Sequence, residues 1–135
     1  MERSVEMIGS NAFNYINVLD KAADASWSRN EIIANNIANV DTPGYKRKDV
    51  QFESYLQSAL AGDNSLDQRV ADVDLDTLDS TVYTDNASYS YRLDGNNVDI
   101  DTESAYLAEN QVRYYSLMDS MTQEFSRLKS VLTAK

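Results

Sequence analysis

The stretch NNIANVDTPGYKRKDV, residues 35–50, decides how this chain is organised. Three asparagines fall at the end of an apolar run, and the one proline of the 135 residues, Pro43, is followed at once by Gly44. Asparagine is a poor helix former because its amide competes for backbone hydrogen bonds. A Pro-Gly pair is typical of a turn, since proline fixes φ and glycine can adopt a positive φ. The stretch therefore predicts the end of a helix and a sharp turn.

The asparagines also indicate a contact between helices. Asn36 and Asn39 lie three residues apart, so they share one side of the helix, next to the apolar stripe of Ile33 and Ile37. Amides in that position can make directional hydrogen bonds to a neighbouring helix and fix its register. Taken alone, an ordinary helix end followed by a turn is the simpler interpretation of the same residues.

Upstream of the turn, apolar residues recur at steps of three and four, as on one face of a helix. The members of this stripe are Val5, Ile8, Ala12, Tyr15, Leu19 and Ala22, followed by Ile33, Ile37 and Val40. Phe13, Ile16, Ala23 and Trp27 form a second apolar flank, so more than one face needs a partner. From about Ser10 to Asn39 no Gly or Pro intervenes, which predicts a helix of about 30 residues, or about 45 Å.

The end of the sequence carries a matching stripe: Leu107, Tyr114, Leu117, Met121, Phe125, Leu128 and Leu132. Asp101 is the predicted N-cap of this second helix, with Glu103 in its first turn. Both stripes have steps near 3.5, which favours coiled-coil-like pairing. We predict a mainly α fold, in which residues 1–45 and 101–135 form two long terminal helices that pair as an antiparallel coiled-coil-like domain. Residues 46–100 would form a small β-rich or irregular insert.

The insert is strongly acidic, because residues 63–101 hold ten acidic and two basic residues. Within it, VADVDLD (70–76) and YSYRLDGNNVDID (89–101) alternate apolar and polar residues, which predicts two half-buried strands. Asp94-Gly95 lies where a tight hairpin turn would fit.

Composition excludes several kinds of chemistry. The chain has no cysteine and no histidine, so it lacks disulfides, thiolate nucleophiles and the usual zinc ligands. Asp72, Asp74 and Asp76 have the opening spacing of a calcium loop, but Thr77 and Tyr83 occupy the positions that need Gly and Glu. A solvated acidic surface explains them better. No residue pair stands out for acid–base catalysis, and we expect neither an enzyme nor a cofactor.

Charge and hydropathy restrict the partners. A net charge of −10 disfavours binding to nucleic acid or to an anionic membrane. The one basic cluster, Lys46-Arg47-Lys48, is interpreted as a solvated turn. No apolar run approaches the roughly 18 residues of a membrane span. Met1–Asn11 contains Glu2 and Glu6 and lacks the apolar core of a secretory signal peptide.

Two blocks of the sequence resemble a known family. IIANNIANVDTPGYKRKDVQFE (32–53) is similar to the N-terminal signature of the bacterial flagellar rod and hook axial proteins, in which an Asn-apolar-Ala-Asn element runs into a Thr-x-Gly-Tyr turn. LDGNNVDIDTESAYLAENQVRYYSLMD (93–119) is similar to the C-terminal signature of the proximal rod members of that family. The compact turn and short chain favour a proximal rod protein over the longer rod and hook members.

The resemblance implies a structural subunit of the proximal rod of the flagellar basal body. Such subunits polymerise helically into a tube that is both drive shaft and export channel. It also implies export by the flagellar type III apparatus without a cleaved signal peptide, and a final position in the rod within the periplasmic space. The implied partners are the chain itself, other rod proteins, the adaptor FliE, the membrane ring and the type III export gate. The hydrophobic export signal expected in such a substrate is not placed, because Asn17 follows Phe13 where an apolar residue should stand.

The resemblance and the helical stripes together predict an assembly interface. The residues that match the first block are Asn36, Ala38, Asn39, Thr42, Gly44 and Tyr45, and those that match the second are Asn96, Asn97, Val98, Asp99, Leu107, Glu109 and Asn110. The stripe adds Tyr114, Leu117, Met121, Phe125, Leu128 and Leu132. An alternative hypothesis is a free-standing helical adaptor or chaperone that binds a helix of another protein. An acidic metal-binding or enzymatic domain is the weakest hypothesis.

Overall fold

The computed structural model of the chain describes residues 2–86 and 92–133, with side chains from Asn11 onward. Two long helices occupy the ends of this region, and short elements lie between them. In chain order the elements are α1 (Glu2–Ala38), β1 (Lys48–Gln51), α2 (Glu53–Ala59), α3 (Leu66–Ala71), β2 (Thr81–Thr84) and α4 (Ile100–Thr133).

The two long helices pack against each other as an antiparallel pair, which confirms the predicted fold class. The direction follows from two contacts: the end of α1 meets the start of α4 through Asn36 and Glu103, and the middle of α1 meets the middle of α4 through Ser26 and Asn110. α1 begins at Glu2, earlier than Ser10, because the apolar stripe already includes Val5 and Ile8 and the helix tolerates the single Gly9. Neither long helix has the uninterrupted apolar length that would cross a bilayer, within the part of the chain described.

α1 buries a second side against the insert, but through Val18, Ala22 and Ala25 and not through the predicted second flank, whose Phe13 and Trp27 are exposed. Ala25 of α1, Phe52 and Leu78 form a small buried cluster. Partly buried residues from α1, α2 and the segment after α3 complete it: Val18, Ala22, Leu56, Ala59 and Val73. Burying Phe52 and Leu78 contributes about 2–3 kcal/mol for each side chain. α1 is therefore the central element, with α4 on one side and the insert on another.

The insert contains a two-stranded antiparallel sheet, but its strands are not those that the sequence predicted. β1 pairs with β2 in a register that sets Lys48 opposite Thr84 and Gln51 opposite Thr81. Residues 70–76 form the end of α3 and a turn. The hydroxyl of Ser65 caps α3 by accepting from the Gln68 amide, and the Asp74 carboxylate accepts from the Asp76 amide. These local hydrogen bonds overrode the alternating pattern.

The second predicted strand is also wrong where it is described, because residues 92–99 form a turn and irregular chain before α4. Residues 89–91 lie outside the described part. A turn does occur at Asp94-Gly95, where Gly95 has φ of 80°, but it joins no hairpin within the described residues. The predicted cap is shifted too: Asp99, and not Asp101, accepts hydrogen bonds from the Asp101 amide and the Thr102 hydroxyl.

Candidate assembly interface

The turn after α1 and the segment before α4 lie against each other and form one polar junction, residues 39–47 with 92–99. The Gly44 amide donates to the Asp94 carbonyl oxygen over 2.8 Å, and the Arg47 amide donates to Asn97 Oδ1 over 2.7 Å. Gly44 has φ of 72°, and a Cβ added to Gly95 would lie 3.7 Å from the Gly44 Cα. The Pro-Gly turn therefore docks onto a second glycine turn, and the two sequence blocks meet in space.

Asn96 binds the turn that follows α1 from the other block. Its side chain is fully buried, and its amide nitrogen donates to three carbonyl oxygens over 2.9–3.1 Å, those of Asn39, Val40 and Thr42. Its Oδ1 accepts from the Val98 amide over 2.7 Å. These carbonyls belong to the turn that follows α1, where the Asn39 oxygen also accepts from the Thr42 amide and the Val40 oxygen also accepts from the Arg92 guanidinium. Asn96 thus fixes the end of α1 relative to the start of α4.

Asn36 makes the contact between helices that its position predicted. Its Nδ2 donates to Glu103 of α4 over 3.1 Å and to the Lys48 carbonyl over 2.8 Å, while its Oδ1 accepts from the Lys48 amide over 2.9 Å. The Tyr45 hydroxyl donates to the same Oδ1 over 3.1 Å. The side chain is fully buried. One amide therefore connects α1, α4, β1 and the turn.

Asn39 acts locally. Its Nδ2 donates to the Asn35 carbonyl over 2.8 Å, and its Oδ1 accepts from the Thr42 hydroxyl over 3.0 Å. The two amides that share one side of α1 consequently have different roles: Asn36 binds other elements, and Asn39 stabilises the last turn of its own helix.

Arg47 contradicts the prediction that the basic cluster is a solvated turn. Its Nε donates to Glu103, whose side chain is 1% exposed, and its Nη1 donates to Asp85 over 3.0 Å. Burial works against the charge of Arg47, but the hydrogen bonds from its guanidinium to Glu103 and Asp85 outweigh burial and raise its pKa above the ordinary value. The guanidinium also lies 5.4 Å from the Tyr106 ring centroid. Only the arginine of the three basic residues is held this way, although Lys46 Nζ donates to the Gly95 carbonyl.

A second charged cluster joins α1, α2 and α4. Arg29 donates from Nη1 and Nη2 to the two carboxylate oxygens of Glu53 over 2.5 and 2.7 Å, and Arg113 donates to Glu53 over 2.9 Å. The hydrogen bonds from Arg29 lower the pKa of Glu53, and those to Glu53 raise the pKa of Arg29. No sequence pattern indicated either cluster, because the partners lie 24–60 residues apart.

Asn110 sets the register in the middle of the helix pair. Its Nδ2 donates to the Ser26 carbonyl oxygen over 2.7 Å inside the seam. Next to it, the rings of Trp27 and Tyr114 pack with centroids 5.8 Å apart. An aromatic pair and a buried amide together allow one alignment of the two helices.

The predicted interface residues divide into two sets. The first lies within the subunit, buried or half-buried: Asn36, Asn39, Tyr45, Asn96, Asn97, Val98, Asp99, Leu107, Asn110, Tyr114, Leu117, Met121 and Leu128. The second lies on the outside: Ala38, Thr42, Gly44, Glu109, Phe125 and Leu132. Phe125 and Leu132 are 51% and 74% exposed although they belong to the apolar stripe of α4.

Both long helices carry further large apolar side chains on the surface. On α1 these are Phe13 and Trp27, the latter 54% exposed. On α4 they are Val112, Tyr115 and Met118, with Tyr115 71% exposed. Within the described residues, no group of three acidic side chains is arranged to hold a metal ion. What the arrangement offers is an extended apolar surface on a rigid helix pair.

Comparison with known proteins agrees with this architecture. Residues 16–46 match the family model described as flagella basal body rod protein. The chain is 39% identical over 117 residues to the flagellar basal body rod protein FlgB of Bacillus subtilis (strain 168), covering 85% of this chain and 90% of that protein. It is 31% identical over 125 residues to FlgB of Escherichia coli (strain K12), with 83% and 88% covered. Over 141 residues it is 30% identical to FlgB of Borreliella burgdorferi (strain ATCC 35210 / DSM 4680 / CIP 102532 / B31), with 97% and 96% covered. The first of the sequence-based hypotheses is thereby confirmed: the chain belongs to the FlgB family of flagellar basal body rod proteins and is a structural subunit of the flagellar rod.

Proposed function

We propose that the chain polymerises helically in the proximal part of the rod, where its copies form a section of the drive shaft and of the wall of the export channel. The observation that carries this proposal is the apolar surface left on both long helices, above all Trp27, Tyr115, Phe125 and Leu132. Large apolar patches on a folded subunit are typical of protein–protein interfaces. The helix pair has no further element of its own chain, within the described residues, that covers them.

In this proposal the two sets of predicted interface residues have different roles. The inner set holds the helix pair and the junction in one shape. The outer set lies at the surface and contacts neighbouring subunits. Assembly thus depends on the inner residues for the geometry of the subunit and on the outer residues for binding.

We further propose the finer partners and route. The neighbours of the chain would be other rod proteins, the adaptor FliE, the membrane ring and the type III export gate, and the chain would be exported through the flagellar apparatus without a cleaved signal. Two features support passage through a narrow channel. The sequence has no cysteine and so no disulfide. The cluster that packs the insert against α1 has three buried residues in the described part of the chain, so unfolding it costs little free energy.

The test substitutes exposed apolar residues of α4 and measures assembly. Tyr115→Ser and Phe125→Ser remove apolar area from the surface, and Gln123→Ser is a matched control at an exposed polar position of the same helix. In a strain that lacks the native gene, each apolar variant should reduce recovery in purified basal bodies by about tenfold and shrink the swimming zone. Normal recovery and normal swimming of both apolar variants would refute the proposed interface. Unchanged circular dichroism excludes a folding defect.

A further inference from the structure

The seam between α1 and α4 contains an open groove. Two adjoining cavities, of about 110 and 380 Å³, share Trp27 and Tyr114 in their walls. We call them together the seam groove. Tyr115, Met118 and Met121 add to its apolar lining. Aromatic and methionine side chains in a concave, accessible site are typical of the centre of a protein–protein contact.

The charged groups of the seam groove favour a positively charged partner. Its charged lining residues are Asp20 and Asp24, both exposed, and neither has an ion-pair partner within the described ranges. The nearby Lys21 is paired with Asp79 instead. At the other end, Asn30 Oδ1 and Asn110 Oδ1 are buried and receive no hydrogen bond from any described residue.

The orientation of Asn110 is fixed by its own contact. Because Nδ2 donates to the Ser26 carbonyl, the acceptor oxygen of Asn110 is the atom that receives no hydrogen bond from the described residues. Buried acceptors in folded proteins nearly always have a donor. The groove therefore combines apolar walls with two carboxylates that have no ion-pair partner among the described residues. An apolar segment that carries a basic side chain complements both features.

One segment of this chain has that character. Residues 125–135, FSRLKSVLTAK, hold three basic residues and no acidic one, in a chain whose net charge is −10. Phe125, Lys129 and Leu132 follow one another at steps of four and three, so they share one face of α4. All three side chains are exposed. This face is apolar at both ends and positively charged between them.

We propose that the seam groove of one subunit binds the face formed by Phe125, Lys129 and Leu132 of a second copy. The inference rests on the proposed polymerisation and specifies which surfaces meet. Phe125 and Leu132 pack on the aromatic and methionine walls. The Lys129 ammonium supplies charge and hydrogen-bond donors to the carboxylates of Asp20 and Asp24.

The geometry of the two surfaces suits a filament. The groove and the basic face are different parts of the molecule, so their contact is heterologous and leaves one free groove and one free face at the ends of every chain of subunits. Tyr114 and Lys129 are 15 positions apart on α4, which corresponds to about 22 Å along a helix. Copies that point the same way and are shifted by about that distance would bring groove and face together.

The experiment is a charge exchange in a strain that lacks the native gene. Asp24→Lys and Lys129→Asp are made singly and together, and Glu31→Lys is the control, an exposed carboxylate of α1 that does not line the groove. Recovery of the subunit in purified basal bodies is measured, and circular dichroism checks that each variant folds. Each single variant, Asp24→Lys or Lys129→Asp, should lower recovery by about five- to tenfold, because it places like charges in contact. The double variant should recover at least half of the wild-type level, and Glu31→Lys should leave recovery unchanged.

Three results would overturn the inference: single variants that assemble normally, a double variant as defective as the singles, or a Glu31→Lys defect equal to that of Asp24→Lys. Its failure is distinguishable from failure of the proposed polymerisation. If Tyr115→Ser and Phe125→Ser impair assembly while the double charge exchange restores nothing, the apolar interface stands and only this pairing of surfaces is wrong.

Discussion

At the scale of single residues, Asn36 forms with β1 the pair of backbone hydrogen bonds that a neighbouring strand would otherwise form. Its amide oxygen accepts from the Lys48 N–H and its amide nitrogen donates to the Lys48 carbonyl, so a side chain on a helix satisfies the backbone of a strand. The same amide donates to the buried carboxylate of Glu103. A residue that is poor for helix propensity is used at the last full turn of α1 because it satisfies buried groups from two other elements.

Replacing Asn36 by alanine should destabilise the subunit. The change raises helix propensity by about 0.6 kcal/mol. It also leaves the Lys48 backbone groups without their partner, at a cost of about 2–3 kcal/mol in the free energy of unfolding. Asn39→Ala is the matched control, since among the described residues its side chain bonds only to the nearby Asn35 and Thr42, and its loss should change stability by less than about 1 kcal/mol. Urea unfolding followed by circular dichroism measures both, and equal effects of the two substitutions would contradict the assigned role of Asn36.

The sequence indicated that Asn36 and Asn39 make specific contacts, but it did not indicate the ion pairs of Arg47. Asn36 and Asn39 stand out because amides are unusual beside an apolar helical stripe. Arg47 sits among lysines in a stretch that resembles any solvated turn, and its partners Asp85 and Glu103 lie 38 and 56 residues away. Pairing over that distance depends on how the turns dock, which no local pattern contains.

At the scale of elements, predictability followed length. The two long helices repeat their apolar spacing over many turns, so periodicity alone identified both and their pairing. β1 and β2 have four residues each and lie about 30 positions apart, which is too short and too distant for an alternation signal. The segment 70–76 alternates apolar and polar residues, but a serine cap and an aspartate turn stabilise it as the end of a helix and a turn.

The cluster around Glu53 makes the attachment of α2 sensitive to acid. The pKa of Glu53 is lower in the folded chain than its ordinary value of 4.5, because Arg29 donates hydrogen bonds to the charged form. Its stabilising contribution is therefore complete above pH 4.5 and is lost as the pH falls through the lower folded value. The Glu53 side chain is 53% exposed, so solvent screening limits the contribution to about 1 kcal/mol or less.

Glu53→Gln provides the measurement. At pH 7 the variant should unfold at a lower urea concentration than the wild type. The difference should shrink as the pH falls below 4.5 through the lowered folded pKa of Glu53, because the wild-type carboxylate then becomes protonated as well. A difference in midpoint that does not change with pH would show that the charge of Glu53 is not the cause.

At the scale of the whole molecule, stability is unevenly distributed along the helix pair. The junction end holds the buried amides Asn36 and Asn96 and the Arg47 cluster, the Glu53 cluster lies near Asn110 in the middle, and the insert covers a second side of α1. Farther along, α4 has a single buried residue after Asn110, namely Leu128, while Phe125 and Leu132 are exposed. A helix that buries so little of its apolar face depends on packing from outside, since isolated helical propensity is marginal in water.

The far part of α4 should therefore become ordered through assembly. In dilute solution, backbone amides of residues 120–133 should exchange with deuterium at least about tenfold faster than those of residues 103–114, which the junction and seam contacts protect. In purified basal bodies, or as concentration rises and subunits associate, the two segments should converge, because binding stabilises the folded form by mass action. Phe125→Ser supplies the control: it should keep rapid exchange at every concentration. A wild-type subunit whose α4 is uniformly protected when dilute, with melting independent of concentration, would mean that one copy satisfies its own helices and needs no neighbour to complete them.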